Sequence, residues 1–389
     1  MSIPLKYNLR NMRVRWRLTL ATIAGVALVV WVFLFVMAVA RGLRGTFVRT
    51  GDARNLMIMR KGSTAESSSQ ITRDEVRRIQ YLDGIARDTD GTPLASPEIL
   101  VLINLDRLDR TGAANLLLRG VGPVGLRLRP TVTITEGRMF QPGLRECVVS
   151  RKLADRFQNC RVGESFRTGK THWRVVGIFD GAKTAFESEI WADADEVRDV
   201  FKRDFYGSIL LRPVEGTGTM AALTQRLESD KQLSVRVLTE NAYYEEQTKT
   251  STAPIQIFGT FLAVVMSIGA AFAAMNTMYA TVGTRTREIG TLRVLGFRRR
   301  DIYISFLLES VLLAFLGGLT GCVAALPLNG LTTGTMSFLT FSEVAFEFQV
   351  TGDLMAQGVA FAVIMGVIGG LLPARLAARK PVLDALRSV

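Results

Sequence analysis

The chain is built from long uninterrupted apolar runs and from shorter stretches in which apolar and polar residues alternate. Four runs, at about 18–40, 255–282, 304–328 and 354–376, reach the roughly 20 residues needed to cross about 30 Å of hydrocarbon. The first carries no charge from Leu18 through Ala40. The third carries one acid, Glu309, and the fourth is rich in glycine. Between the first two runs the pattern becomes that of a folded α/β domain. Residues 55–60 read as a strand, and Thr72-Arg-Asp-Glu75 is a capping-box pattern opening a helix with Val76 and Ile79 three apart. An apolar strand follows at 99–105. The same order recurs later as a strand at 208–212, a helix at 219–229 and a strand at 234–238. Two β-α-β units separated by a long insertion predict a split α/β sandwich. The insertion is mainly β, with strand signals at 131–135, 146–150 and 172–179 and a helix near 152–157. Gly137, Gly143, Gly163, Gly169 and Gly181 punctuate it.

The fold class expected is an α-helical membrane protein with four transmembrane helices plus a large extracytoplasmic α/β domain. That domain covers 41–254. Residues 41–103 and 207–253 supply the α/β subdomain, and 104–206 the inserted β subdomain. Arg41–Phe47 continues the first span outward and Glu240–Ser251 leads into the second, so both are expected as helical stalks. A cytoplasmic loop at 283–303, an external loop at 329–353 and a tail at 377–389 complete the order. Over 1–17, Leu5, Leu9 and Met12 recur at helical spacing with Lys6, Arg10 and Arg13 offset. This is the pattern of an amphipathic helix held at the headgroup surface of membrane lipids.

Charge fixes the expected orientation. The net charge of +13 invites a nucleic-acid reading, but its distribution excludes one. Lys6, Arg10, Arg13, Arg15 and Arg17 precede the first span. Arg285, Arg287, Arg293, Arg298, Arg299 and Arg300 fill the loop between the second and third. Arg375, Arg379, Lys380 and Arg387 follow the fourth. Against these 15 basic residues stand only Glu288, Asp301 and Asp384, and the rest of the chain nearly cancels. Short basic flanks resist translocation, so both termini and the arginine loop are expected inside. The loop at 329–353 has no Lys or Arg and carries Glu343, Glu347 and Asp353, which places it outside. A signal peptide is the rival for the first span, because Ala38-Val-Ala40 resembles a cleavage site. The apolar region, however, exceeds the roughly 7–15 residues of such a segment.

The chain offers little catalytic chemistry. One histidine, His172, reads as a partly exposed strand residue, and three cysteines make no disulfide framework. Cys322 is a packing residue of the third span, while a bridge between Cys147 and Cys160 stays open. No nucleophile elbow or metalloprotease motif occurs, and Glu187 and Glu189 read as solvated acids. No catalytic residue, metal site or bound cofactor is expected. Gly317-x-x-x-Gly321 and Gly366-x-x-x-Gly370 allow close helix approach, within the chain or in a dimer. Glu309 needs a partner, such as Arg375 at the membrane boundary, and a structural ion pair is expected over a proton relay. The arginine loop itself reads as a short amphipathic helix suited to a cytoplasmic partner. With no Gly-x-x-x-x-Gly-Lys-[Ser/Thr], the chain has no P-loop of its own, so ATP and magnesium would act through another subunit.

Three motifs resemble the permease subunits of MacB/FtsX-type, mechanotransmitting (type VII) ABC transporters. They are Asn276-Thr-Met-Tyr-x-x-Val282-x-x-Arg285-Thr-Arg-Glu-Ile-Gly290-x-x-Arg293-x-x-Gly296, then Phe306-Leu-Leu-Glu309-Ser with the Gly317–Gly321 cluster. The third is Gly366-x-x-x-Gly370-x-x-Pro373-Ala-Arg375-x-Ala-Ala378-x-x-Pro381-x-x-x-Ala385-Leu-Arg387. The resemblance implies a dimer with an identical or related permease chain on an ABC ATPase, in the bacterial inner membrane. It casts Arg285, Arg287, Glu288, Ile289, Gly290, Arg293 and Gly296 as the element coupled to that ATPase. The expected function is ATP-driven export or extraction of an amphiphile by movement of the external domain. A periplasmic adaptor and an outer-membrane channel are further partners it allows. Lipoprotein release and FtsX-like control of a cell-wall hydrolase are the alternatives. Without a fused ATPase domain, the chain is expected to be a stand-alone permease.

Overall fold

Among the described residues, four helices are long and apolar enough to cross a membrane: α1 (Trp16–Val48), α5 (Glu240–Thr284), α7 (Arg299–Ala325) and α8 (Gly352–Arg379). At about 1.5 Å per residue, α1 and α5 are each longer than a hydrocarbon layer of about 30 Å. Both therefore continue beyond it, as the expected stalks require. Pro254 lies inside α5 and removes one helical hydrogen bond there. The computed structural model describes residues 13–14, 16–216, 218–337 and 341–380. Leu5, Lys6, Leu9, Arg10 and Met12 of the expected amphipathic helix, and Pro381, Ala385 and Arg387 of the tail, lie outside the described residues.

The chain divides into two compact units. The first comprises 1–41, 254–331 and 348–389. Its helices meet over small residues, as packing without a hydrophobic drive in lipid requires. Gly317 lies against Val26 of α1, and Gly321 against Ala27 and Val30 of α1. Gly366 lies against Ala314 of α7, and Gly370 against Ser310 of α7. A Cβ on any of the four would sit within about 3 Å of these neighbours. All four glycines thus make contacts within the chain. Thr351 caps α8 through the Leu354 amide, and Arg41 pairs with Asp353 at 2.8 Å.

The second unit comprises 42–253 and 332–347. Its strands are β1 (Leu56–Arg60), β2 (Ile71–Thr72), β3 (Ala95–Asp106), β4 (Ala113–Val121), β5 (Thr133–Gly137), β6 (Glu146–Ser150) and β7 (Ser165–Thr168). There follow β8 (Thr171–Asp180), β9 (Glu189–Asp193), β10 (Phe205–Tyr206), β11 (Ser208–Leu211), β12 (Val235–Thr239), β13 (Thr332–Met336) and β14 (Glu343–Glu347). The main sheet runs β12-β1-β11-β3-β4-β9-β6-β8-β5, with β7 on β8. The expected β-α-β units interlock: β11 lies between β1 and β3, and β1 lies between β11 and β12. Helices α2 (Arg73–Gln80) and α4 (Thr219–Ser229) are their crossovers. The Thr72–Glu75 capping box is formed, and Val76 and Ile79 are buried.

The twelve residues of β3 bind the sheet together. Its first four pair with β11 and the rest with β4, so hydrogen bonding passes without a break into the strands read as an insertion. The apolar cores nevertheless differ. One gathers Leu56, Ile58, Ile79, Leu223 and Val237, and the other Ile103, Leu118, Phe157, Trp173 and Ile190. Strands β4 and β9 and helix α3 (Ala194–Val200) were not anticipated. Cys147 and Cys160 are free thiols buried in the second core, and His172 is an exposed residue of β8.

Candidate functional site

The arginine loop is a helix, α6 (Thr286–Val294), fixed at its start, its inner face and its end. Gly296 ends it at φ 96°, a conformation glycine adopts without steric cost. The Gly296 amide donates to the Arg293 carbonyl at 3.2 Å, and the Phe297 amide to the Leu292 carbonyl at 3.1 Å. These two bonds make a Schellman cap. On the inner face, Ile289 packs among Met278, Val282, Ile302, Phe306, Ala374 and Ala377, contributed by α5, α7 and α8. Gly290 beside it is buried as well. At the start, Lys380 Nζ donates to Thr286 Oγ1 at 2.7 Å.

Arg285 joins the loop to the membrane helices. Its side chain is 4% exposed, donating from Nε to Glu288 at 3.0 Å and from Nη1 to Glu309 at 2.9 Å. The guanidinium also lies 4.9 Å from the centre of the Phe306 ring. The intramembrane acid is therefore paired, as its burial demands, but with Arg285 and not with Arg375, which is exposed. Arg375 follows Ala374 on α8, and the buried face of that turn consists of Pro373, Ala374, Ala377 and Ala378. It points away from Glu309 for that reason.

The outer face of α6 is the opposite in character. Val294 and Leu295 are 63% and 68% exposed, beside exposed Arg287, Glu288, Thr291, Gly296, Arg298, Arg299 and Arg300. Arg293 is half-buried, and its Nε has no hydrogen-bond partner among the described residues. An apolar tip ringed by charges, on a helix locked from behind, is what a protein-docking element presents. Sequence reasoning had singled out Arg285, Arg287, Glu288, Ile289, Gly290, Arg293 and Gly296. The structure turns Arg287, Glu288 and Gly296 outward, and uses Arg285, Ile289 and Gly290 inward. The exposed pair Val294 and Leu295 stands outside that sequence-derived set.

Sequence reasoning also missed a second constellation, in the α/β unit. Arg119 and Arg129, 1% and 2% exposed, share buried Glu66, Glu98, Glu189 and Glu240. Arg119 grips Glu189 with two bonds of 2.7 and 2.9 Å and reaches Glu98 at 2.7 Å and Glu66 at 2.9 Å. Arg129 binds Glu98 at 2.5 and 2.9 Å and Glu240 at 3.1 Å, and it lies over Phe186 and Trp191. Ser208 also donates to Glu66 and the Trp191 indole to Glu189, while Asn55 Nδ2 and the Asp52 amide donate to the second oxygen of Glu240. Burial alone would raise Glu98, but Arg129 and Arg119 outweigh it and hold the carboxyl below the usual range. Burial prevails at Glu240 and raises it. Glu240 is the first residue of α5, so this hub fixes the root of that helix. Glu187 and Glu189 are therefore not solvated acids. Both are buried: Glu189 on Arg119, because β9 lies inside the sheet, and Glu187 beside Lys152 at 2.5 Å, in the helical turn Ala185–Ser188 just before it. Among the described residues no group of His, Cys, Asp and Glu could hold a metal ion.

Two family models match the chain: FtsX-like permease C-terminal over residues 260–382, and MacB-like periplasmic core domain over residues 19–230. A pyoverdine export ATP-binding/permease protein, PvdT of Pseudomonas savastanoi pv. phaseolicola (strain 1448A / Race 6), is 37% identical over 166 residues. That alignment covers 43% of this chain and 24% of the relative. The macrolide export ATP-binding/permease protein MacB 1 of Yersinia pestis bv. Antiqua (strain Antiqua) is 31% identical over 235 residues, covering 58% and 35%. The chain thus spans about a quarter to a third of the length of these curated relatives. Among solved structures, the periplasmic region of MacB from Actinobacillus actinomycetemcomitans matches with a TM-score of 0.39 at 14% identity, over 50% of this chain and 92% of that one.

Proposed function

We propose that this chain, which belongs to the MacB/FtsX-type family of ABC transporter permeases, couples ATP hydrolysis on a separate ATPase subunit to movement of its α/β domain outside the cytoplasmic membrane. The observation that carries the reading is α6. Its outer face offers Val294 and Leu295 to a partner, while Ile289 and the Arg285–Glu309 pair tie its inner face to α5, α7 and α8. A push on the outer face is passed to the spans because the helix cannot rotate or slide without breaking a buried charge pair. Losing one partner of such a pair costs about 3–5 kcal/mol. A second copy or a related permease completes the dimer that two ATPase subunits would move. Both termini and α6 are cytoplasmic on the distribution of arginine.

The substrate is handled outside rather than led through the spans of one chain. The cavity lined by Thr22, Thr277, Thr281, Glu309, Ser310 and their neighbours measures about 30 Å³. That is room for about one water, far below the roughly 300–1,000 Å³ of a small-molecule site. Relatives named for pyoverdine and macrolide export support export of a small molecule, and the substrate we propose for this chain is an amphiphile. The test is ATPase stimulation in the purified complex. Val294→Asp with Leu295→Asp changes only exposed side chains, so stability is expected to hold while stimulation is lost. Undiminished stimulation would remove the docking assignment.

A further inference from the structure

The segment joining α7 to α8 holds a two-stranded hairpin, β13 paired to β14 from Thr332↔Glu347 to Met336↔Glu343. An isolated hairpin of this size is marginal in water, yet its acids are drawn into a specific dock within the α/β unit. Glu343 is buried and accepts from Arg107, after β3, and from Arg156, just past the helical turn Arg151–Ala154. Glu347 accepts from Lys183 at 2.9 Å and lies 3.6 Å from Lys152, which also holds Glu187 at 2.5 Å. The Ala345 amide donates to Ser188 Oγ at 2.8 Å. Gly42 of α1 faces the Glu347 carbonyl so closely that a Cβ there would overlap it.

Local backbone conformation is given up to form this dock. Ala182 and Lys183 are consecutive residues at φ 52° and 62°, and Phe341 in the hairpin stands at 54°. Such conformations cost on the order of 1–2 kcal/mol per residue without glycine. In return Lys183 meets Glu347. Exposed ion pairs are worth only about 0–1 kcal/mol, but here one buried carboxylate takes two guanidinium groups and a second carboxylate takes two ammonium groups. The acidity of this loop, with no Lys or Arg, is complementary to that surface.

We propose that β13–β14 is an ionic strap, a second attachment through which the membrane helices act on the α/β unit. This rests on the ATP-driven reading above. The chain passes between its two units four times, at 41/42, 253/254, 331/332 and 347/348. The first two passages lie within α1 and α5. The other two enter and leave the hairpin, and α7 begins directly after the docking helix α6. Displacement of α6 therefore reaches the α/β unit by α5 and, through α7, by the strap, which delivers it to Ala185–Asp193 beside β4.

Hydrogen–deuterium exchange on the full chain with its copurified ATPase tests this, comparing nucleotide-free complex with ATP and vanadate. In the unaltered chain, nucleotide should change exchange both at 240–253 and at 185–193. In Glu343→Gln/Glu347→Gln the response at 185–193 should be lost while that at 240–253 persists. Adding Ser188→Cys and Ala345→Cys, then oxidising, should restore the lost response by replacing ionic docking with a covalent one. A retained response at 185–193 in the double glutamine variant overturns the strap, as does failure of the cross-link to restore it. Absence of any response at 240–253 in the unaltered chain overturns the ATP-driven reading instead, and the strap with it.

Discussion

Arg129→Met should destabilise the α/β unit far more than the loss of any exposed arginine. Arg129 makes three charge-assisted hydrogen bonds, two to Glu98 and one to Glu240, in a site closed to solvent. Methionine fills much of the volume and removes the charge, leaving Glu66, Glu98 and Glu189 on Arg119 alone and Glu240 without its arginine. Breaking a buried pair by removing one partner costs about 3–5 kcal/mol. At about 2–4 °C per kcal/mol for a domain of this size, the midpoint should fall by about 6–20 °C. Arg54→Ala is the control: its side chain is 58% exposed on Asp52, so no measurable fall in midpoint is expected. Tryptophan fluorescence of the full chain in detergent reads the transition, since Trp173 and Trp191 are fully buried in this unit.

The pH dependence of that variant has a definite sign. In the unaltered protein Glu98 is held low, so its contribution is present above its unfolded pKa and fades as pH falls. Without Arg129, only Arg119 opposes the burial that raises Glu98, so its carboxyl should move upward. Their ionised forms then penalise the fold at high pH, and protonation relieves the penalty as pH falls. The gap in midpoint between variant and parent should narrow between about pH 8 and about pH 5. A midpoint within about 2 °C of the parent, or a gap independent of pH, would refute the hub as an electrostatic anchor.

Burial pushes Cys160 up to about 12 and holds Cys147 well above the usual thiol value, so N-ethylmaleimide should label neither in the native chain and both after denaturation, as mass spectrometry would show. A disulfide-linked peptide would contradict this. Gly317→Leu should destabilise the helical unit by about 1–3 kcal/mol, because a Cβ there already lies 2.7 Å from Val26; an unchanged midpoint in detergent would refute the close approach. Arg285→Ala and Glu309→Gln should each lower stability, and the double variant should be no worse than the poorer single, with a coupling of about 0.5–3 kcal/mol. Strict additivity would break the pairing.

The spans, the helix at Thr219–Ser229 and the strand at Glu146–Ser150 were legible because their signals are local: apolar length, caps and short apolar runs. Helix α6 was legible for the same reason, since Gly296 and the arginines are neighbours in sequence. The hub was not. Glu66, Glu98, Arg119, Glu189 and Glu240 are scattered over more than a hundred residues, and only the order of strands in the sheet brings them together. A charged residue in a strand reads as solvent-facing unless both faces of that strand are covered, as happens at β3, β4 and β9. The partner of Glu309 was misjudged because Arg285 is 24 residues away and Arg375 looked equally near the boundary. Whether α6 turns Arg285 inward is set by the packing of Ile289, which no single motif encodes.

If Val294 and Leu295 dock on an ATPase, a photo-crosslinking amino acid at Leu295 should capture it. Irradiation of intact cells, followed by purification of this chain and mass spectrometry of the adduct, should identify a protein carrying a P-loop. The same group at Tyr81, exposed on the α/β unit, should not capture that protein. Adducts at Leu295 with lipid alone, or a P-loop protein captured equally from Tyr81, would contradict the account.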